Sequence, residues 1–240
     1  MTMIYFVRHA QASFGAENYD ALSPLGRRQS GALGAALAAR GFRPDMIFTG
    51  RMRRHRDTAA LCMEQLAMYP EIDALRGLDE YDFIDVLKAH RAELVDMPAV
   101  KRAAAQGEDL RSLFAGALTA WTKDDAGAAY IESFAAFRAR VEEALSEIAR
   151  RAARRGAERV LVFSSGGPIG AMTLTLLTAP VSRFYDVTWR MANCAVTRVL
   201  LSEEGGAGSQ PGDNVALHPR LVSFNDYSAL ETDRGLLTFI

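Results

Sequence analysis

Residues 160–170, Val-Leu-Val-Phe-Ser-Ser-Gly-Gly-Pro-Ile-Gly, read as a buried strand that runs into a glycine turn and then a helix. A short apolar, β-branched and aromatic run bounded by glycines is the signature of a strand covered on both faces. The spacing predicts a strand over 159–163 and a helix over 168–177. In an open α/β sheet, catalytic groups gather at such a carboxyl end. This turn, however, holds no side chain able to act as base, acid or strong nucleophile.

Working outward, strands and helices alternate. Ile4–Val7 is a strand. Ser23 and Pro24 open a helix as N-cap and first helical residue, and Gly41 stops it after Ala39. Asp45–Thr49 is a strand, 52–67 an amphipathic helix and Ile72–Leu75 a third strand. Residues 84–130 carry helical patterns with few strand signals. A long helix follows from Ser133 to Arg154. Strands are expected at Val196–Leu201 and Leu221–Phe224. Between them 203–214 is rich in Gly, Ser and Pro and reads as a mobile loop. This order implies an α/β fold: a three-layer α/β/α sandwich around a mainly parallel sheet.

The bulk numbers narrow the function. The 240 residues suit one large or two small α/β domains, and the 49% hydrophobic and 24% charged composition is that of a water-soluble globular chain. A net charge of −1 gives no overall attraction to nucleic acid or to an anionic membrane, so neither is an expected partner. Cys62 and Cys194 form no metal motif and no disulfide framework. The N-terminus enters a strand at once, and no run reaches about 18 apolar residues. The expected location is a reducing cytoplasm.

Strand ends direct attention to four groups of residues. Arg8-His9 follow the first strand, Thr49 to Arg56 the second, Leu78 to Asp82 the third, and Ser164 to Gly167 the fourth. Each is bland when taken singly. An Arg-His pair is usually an ordinary loop, a carboxylate in Leu-Asp-Glu-Tyr-Asp-Phe usually lies at the surface, and Arg-Met-Arg-Arg-His-Arg over 51–56 could be a solvated or nucleic-acid-binding basic face. On a helix, however, Arg54 and Thr58 share a face while Arg53 and Arg56 point elsewhere, so one arginine can enter a pocket. Two guanidinium forks hold phosphoryl oxygens in bidentate fashion, a neutral imidazole can attack phosphorus, and a carboxylic acid can protonate the leaving oxygen. The coincidence at four successive strand ends makes the pattern informative.

In these blocks the sequence resembles the histidine phosphatase superfamily, the phosphoglycerate-mutase-like proteins. Arg8-His9-Ala10 matches the family's opening Arg-His-Gly with Ala for Gly. Asp20, Leu22, Ser23 and Gly26 match its next block, Thr49, Arg54, Thr58 and Ala59 the one after. Leu78 and Glu80 match the segment that supplies the proton donor, and Glu132-Ser133 and Asn193 match later positions. The resemblance implies a phosphomonoester phosphatase working through phosphohistidine at His9. Glu80 would be general acid and then base, with Asp82 as the fallback carboxylate. Arg8 and Arg54 would clamp the phosphoryl group, and Gln11, Ser13 and Asn18 would contact substrate. No cofactor and no metal is implied. The substrate would be a small phosphorylated metabolite or a phosphoprotein. Residues 1–240 would form one such domain, with 84–130 as a helical insertion over the active site. Within it Leu87, Leu94, Val95, Leu113, Phe114, Leu118 and Trp121 are expected to be lid core.

The resemblance also says what the opening turn lacks. The family's fourth strand ends in Ser-His-Gly-Gly, and here Ser165 stands where that second histidine should be. Ser165 or Gly166 would cap the helix, and the glycines would leave its N-terminus open to an anion. Losing a charged donor aimed at the transition state costs about 2.7–4 kcal/mol, part of which a serine hydroxyl can recover. The expected loss is about one to three orders of magnitude in rate. Ser165→His is expected to raise turnover. His55, His90 and His218 are the remaining histidines, and His55 points about 100° away from Arg54 on a helix; none is expected to substitute. Two alternatives remain: a non-catalytic binder of phosphoesters, and a phosphoglycerate mutase. The loop after His9 departs from the mutase pattern.

Overall fold

The computed structural model describes residues 1–13, 20–123, 130–203, 217–231 and 233–239. Six strands form one sheet: β1 (Thr2–Arg8), β2 (Met46–Thr49), β3 (Asp73–Ala74), β4 (Arg159–Ser164), β5 (Val196–Glu203) and β6 (Leu217–Asp226), in the order β3-β2-β4-β1-β5-β6. The first four run parallel, and β5 and β6 extend the sheet antiparallel at one side. The helices are α1 (Pro24–Ala39), α2 (Arg53–Gln65), α3 (Phe83–His90), α4 (Met97–Ala105), α5 (Leu110–Lys123), α6 (Phe134–Arg155), α7 (Gly166–Leu176) and α8 (Phe184–Trp189).

The period of two along each strand explains the three layers. Phe6, Phe48, Val160 and Val162 point to one face, where they pack with Val141 and Ile148 of α6 and with Ile169 and Met172 of α7. Val7, Ile47, Leu161 and Phe163 point to the other, against Leu33 and Leu37 of α1 and Ala59 and Met63 of α2. A strand covered on both sides needs an unbroken apolar run, and Val160–Phe163 supplies it. The chain leaves β1 toward the α1–α2 face and leaves β4 toward the α7 face. These adjacent strands therefore part at their carboxyl ends and leave a crevice between them. The β1–β4 register pairs Arg8 with Ser164, which brings His9 and Ser165 to the same rim.

Several boundaries moved. The third strand shrinks to Asp73–Ala74 because it pairs only with Phe48 and Thr49 before a 3₁₀ turn, Arg76–Leu78, takes over. The last strand is longer than 221–224, because its pairing with β5 extends over residues whose mixed polarity hides the strand pattern. α7 starts at Gly166, two residues before the expected Pro168. A proline in the first turn is tolerated because its missing N–H would have no intrahelical partner there. Ser133 caps α6 by accepting from Ala136 N at 3.1 Å. The segment expected to be a mobile loop lies, after Glu203, outside the described residues.

Candidate active site

His9 is held from every side. Its N–H donates to the Ser164 carbonyl at 2.8 Å. Its carbonyl accepts from Asn193 Nδ2 at 3.0 Å, and Asn193 Oδ1 accepts from Thr238 Oγ1 at 2.8 Å. Ala10 N donates to Thr58 Oγ1 at 3.1 Å, which ties the turn to α2. The ring nitrogen Nδ1 lies 2.7 Å from the Ala10 carbonyl. A carbonyl only accepts, so Nδ1 carries the proton and Nε2 is bare. Arg54 Nε donates to that Nε2 at 3.1 Å. Burial, and then the charge of Arg54, hold the His9 imidazole well below the ordinary histidine value of 6.5, with His55 and Arg8 adding to the effect.

Arg54 is the one arginine of the 51–56 run that is buried, as the helical spacing requires. Its Nη1 donates to Asp20 Oδ1 at 2.9 Å. The Asp20 carboxylate also accepts from Arg53 N at 2.7 Å, supplying the cap that the Met52 side chain does not give α2. Arg8 reaches the site from the end of β1, and its Nη1 donates to the carbonyls of Met191 and of Phe239, the latter at 3.2 Å. Arg8, His9, Arg54 and Glu80 line one cavity of about 300 Å³.

Glu80 crosses to α7. Its Oε2 accepts from Gly167 N at 3.1 Å and its Oε1 from Tyr81 N at 3.2 Å. A Cβ at position 167 would sit 1.9 Å from Oε1, so only glycine admits the carboxyl here. Desolvation raises the Glu80 carboxyl above its ordinary 4.5, and this outweighs the Gly167 hydrogen bond and the two arginines. The helix end expected to stand open to an anion is thus taken by Glu80. Asp82, the fallback, is spent differently: it caps α3, accepting from Ile84 N and Asp85 N at 3.0 and 3.1 Å.

Ser165 does not line the cavity, contrary to its expected phosphate-binding place, whereas Gly166 does. Ser165 is the N-cap of α7 by backbone conformation, yet its hydroxyl makes no capping bond. It is 2.6 Å from Nε2 of His55, and both residues are fully buried. The His55 ring stands 5.6 Å from the His9 ring, centroid to centroid. Gly50 makes room for it, since a Cβ there would lie 2.1 Å from His55 Nδ1. Nδ1 has no hydrogen-bond partner among the described residues. The tautomer that leaves no buried N–H unpaired therefore donates from Nε2 to Ser165 Oγ. His55 turns away from Arg54 along α2, as the helical spacing requires, and does not line the cavity, but that direction brings its ring against Ser165 and beside His9. An imidazole from another chain segment rests against the side chain that stands where the family's second histidine belongs.

Gln11 is fastened elsewhere. Its Oε1 accepts from Ser23 Oγ at 2.7 Å, fastening the loop to the start of α1, and it does not line the cavity. Nor does Ser13, whose N–H donates to the Ala21 carbonyl at 2.8 Å. Asn18 lies outside the described residues. The sequence reading missed Tyr81, Phe83, Trp189 and Phe239 as cavity walls and took Phe114 and Leu118, which also line it, for lid core alone. Aromatic residues in helices carry the same signal whether they face a core or a cavity.

Burial holds both His9 and His55 below 6.5. A depressed histidine adds stability that is present above pH 6.5 and is lost as pH falls through 6.5 toward the folded-state value, because the unfolded chain then binds protons the native state refuses. Each such imidazole contributes a slope of up to about 1.4 kcal/mol per pH unit. Urea unfolding should show a lower midpoint at pH 5.5 than at pH 7.5. The difference should shrink in His55→Leu; an unchanged difference would mean that His55 is not buried neutral.

A model of the histidine phosphatase superfamily (branch 1) matches residues 4–213. Among curated proteins none matches the chain. Solved structures share the fold. A mycobacterial glucosyl-3-phosphoglycerate phosphatase is 23% identical with a TM-score of 0.64, over 94% of this chain and 99% of that one. A phosphoglycerate mutase from Bacillus anthracis is 18% identical with a TM-score of 0.61, over 96% and 95%. A phosphoserine phosphatase from Entamoeba histolytica, in complex with 3-phosphoglyceric acid, is 18% identical with a TM-score of 0.61, over 96% and 100%.

Proposed function

The chain belongs to the histidine phosphatase superfamily, branch 1, and on that premise we propose that it hydrolyses phosphate monoesters through a phosphohistidine at His9. The observation that carries this reading is the bare His9 Nε2, 3.1 Å from the Arg54 guanidinium, in one cavity with Arg8 and Glu80. Nε2 attacks phosphorus, the P–N bond forms and the P–O bond to the leaving group breaks. Protonated Glu80 gives its proton to the departing oxygen. Glu80, now a carboxylate, takes a proton from water, the resulting hydroxide attacks phosphorus, and the P–N bond breaks to release phosphate. Arg8 and Arg54 hold the equatorial oxygens, whose charge they offset throughout. Throughout, Nδ1–H stays on the Ala10 carbonyl, so Nε2 is regenerated bare. The two thiols, both free and buried, fit a reducing cytoplasm, and no helix among the described residues is long and apolar enough to cross a membrane.

Rapid-quench labelling with 4-nitrophenyl phosphate carrying labelled phosphorus tests the reading. The expected result is a burst of nitrophenol matched by acid-labile, base-stable label on His9. Phosphate binding with neither label nor turnover would instead establish a non-catalytic phosphoester binder.

The His55–Ser165 contact changes what Ser165→His should do. At 2.6 Å between two fully buried side chains there is no room for a second imidazole. Overpacking of this kind costs about 1–3 kcal/mol. Ser165→His alone should therefore lower stability without raising kcat. Combined with His55→Ser, which opens the space, it should raise kcat about 10- to 1,000-fold. Denaturant midpoints and kcat for both variants check this. A faster single variant would show that the new ring reaches the phosphoryl group without displacing His55.

A further inference from the structure

The far end of the catalytic cavity has a different chemistry from its floor. Beyond Arg8, His9, Arg54 and Glu80, its walls include Phe83, Leu110, Phe114, Leu118, Trp189 and Phe239. The ring centroids of Phe83 and Phe114 are 6.1 Å apart, and those of Phe114 and Trp189 are 5.9 Å apart, so the three form one aromatic wall. All three are partly exposed, unlike the fully buried Trp121 and Phe137 behind them. They come from three separate helices: the first residue of α3, the interior of α5 and the last residue of α8.

Among the described residues, the cavity has no cation besides Arg8 and Arg54, the two beside His9, and no carboxyl group besides Glu80. Thr188 lines it too, but its hydroxyl donates back to its own helix, at 2.8 Å from the Phe184 carbonyl. A leaving group bearing a carboxylate would lose water here and find, among the described residues, no cation beyond the two beside His9, which is a direct energetic penalty. An apolar ring would exchange water for an aromatic surface. The cavity volume is at the lower end of small-molecule sites, enough for a phosphoryl group and about one or two rings.

We infer that this wall is a leaving-group subsite for phosphate monoesters of alcohols that carry an aromatic ring, and that it disfavours anionic leaving groups. The inference rests on the proposed phosphatase reading for the location of the phosphoryl group. Binding and turnover separate the two. Calorimetry with unmodified protein would compare 1-naphthylmethylphosphonate with 3-phosphonopropionate, neither of which can be hydrolysed. The aromatic phosphonate should bind at least about tenfold more tightly. The preference should collapse in Phe114→Ala and in Trp189→Ala, and circular dichroism would confirm that each variant is folded. Equal binding, or tighter binding of the carboxylate, would overturn the subsite whether or not the protein is an enzyme. In turnover, 2-(1-naphthyl)ethyl phosphate should exceed glycerol 3-phosphate in kcat/KM by at least about tenfold. Both esters have alkyl leaving groups, so the ratio reads recognition rather than leaving-group reactivity. Tight aromatic phosphonate binding without turnover of either ester would sink the phosphatase reading and leave the subsite standing.

Discussion

His9→Ala is expected to lower kcat/KM for any phosphate ester by at least about 10⁴-fold and to abolish the covalent label. Removing a nucleophile costs far more than removing a hydrogen-bond donor, because the two-step route disappears and only positioning remains. Among the described residues no neighbour is placed to take over. The His55 ring is 5.6 Å away, and its Nε2 is engaged with Ser165 Oγ. The variant should stay folded, because the restraints on this turn come from its backbone: the His9 carbonyl keeps Asn193, and Ala10 N keeps Thr58. Stopped-flow assay and acid-quench labelling of the same preparation would read both effects. A labelled His9→Ala protein would mean that phosphoryl transfer goes through another group.

Glu80→Gln is expected to lower turnover of alkyl phosphates about 10²- to 10⁴-fold. Glutamine fills the same volume, and its carbonyl oxygen can still accept from Gly167 N, so the loss reports the proton rather than the shape. The loss should be much smaller for the first step with 4-nitrophenyl phosphate, whose leaving oxygen needs no proton. A merely positional role would affect both esters alike. The pH profile gives a second readout. His9 must be bare, so activity rises as pH climbs through its folded-state value. Glu80 must be protonated, so activity falls as pH climbs through its own. At ordinary values of 6.5 and 4.5 these two requirements conflict, since no pH would satisfy both for most molecules. Burial moves the imidazole down and the carboxyl up, each by desolvation first, and the requirements approach or overlap. Glu80→Gln should remove the alkaline limb and leave the acid limb in place. An alkaline limb that survives would assign it to another group.

Both variants bear on the missing histidine. On the proposed reading, a site that keeps His9, Arg54 and a Glu80 carboxyl raised by burial retains the groups for both chemical steps. On that reading it lacks, among the described residues, the cationic donor that the family's second histidine would give the phosphoryl group. His55 occupies the neighbouring space as a neutral ring, because burial and the charge of Arg54 both oppose its protonation. The double variant described above asks whether that space, once filled from position 165, recovers the family's second donor.

The residues that could be read from the chain are those whose placement follows from a local period. Val160–Phe163 alternates between two covered faces, so its apolar run requires a sheet with helices on both sides. Ser23 and Pro24 start α1 through bonds made within one turn, Ser23 Oγ accepting from Gly26 N at 2.9 Å. Arg8 and His9 stand at the end of the first strand, Arg54 on the inward face of α2, and Glu80 after the 3₁₀ turn that follows the third strand. Register then brings them together, because parallel strands align their carboxyl ends on one rim. Gln11, Ser13 and Ser165 could not be settled this way. Each is near the site in sequence but is tied elsewhere: the Gln11 side chain to Ser23, the Ser13 backbone N–H to the Ala21 carbonyl, and the Ser165 side chain to His55, 110 residues away.

The amino-acid order by itself determined the layered sheet, the turns after the first, second and fourth strands, and the chemical identity of the four groups at the cavity floor. Only the tertiary structure decided that His55 lies against Ser165, that Glu80 occupies the start of α7, and that Trp189 and Phe239 close the cavity. Periodicity tells which way a side chain leaves its own helix or strand. What it meets there depends on how α2, α7, α8 and the C-terminal segment pack across the sheet, and close packing between distant segments leaves no trace in local spacing.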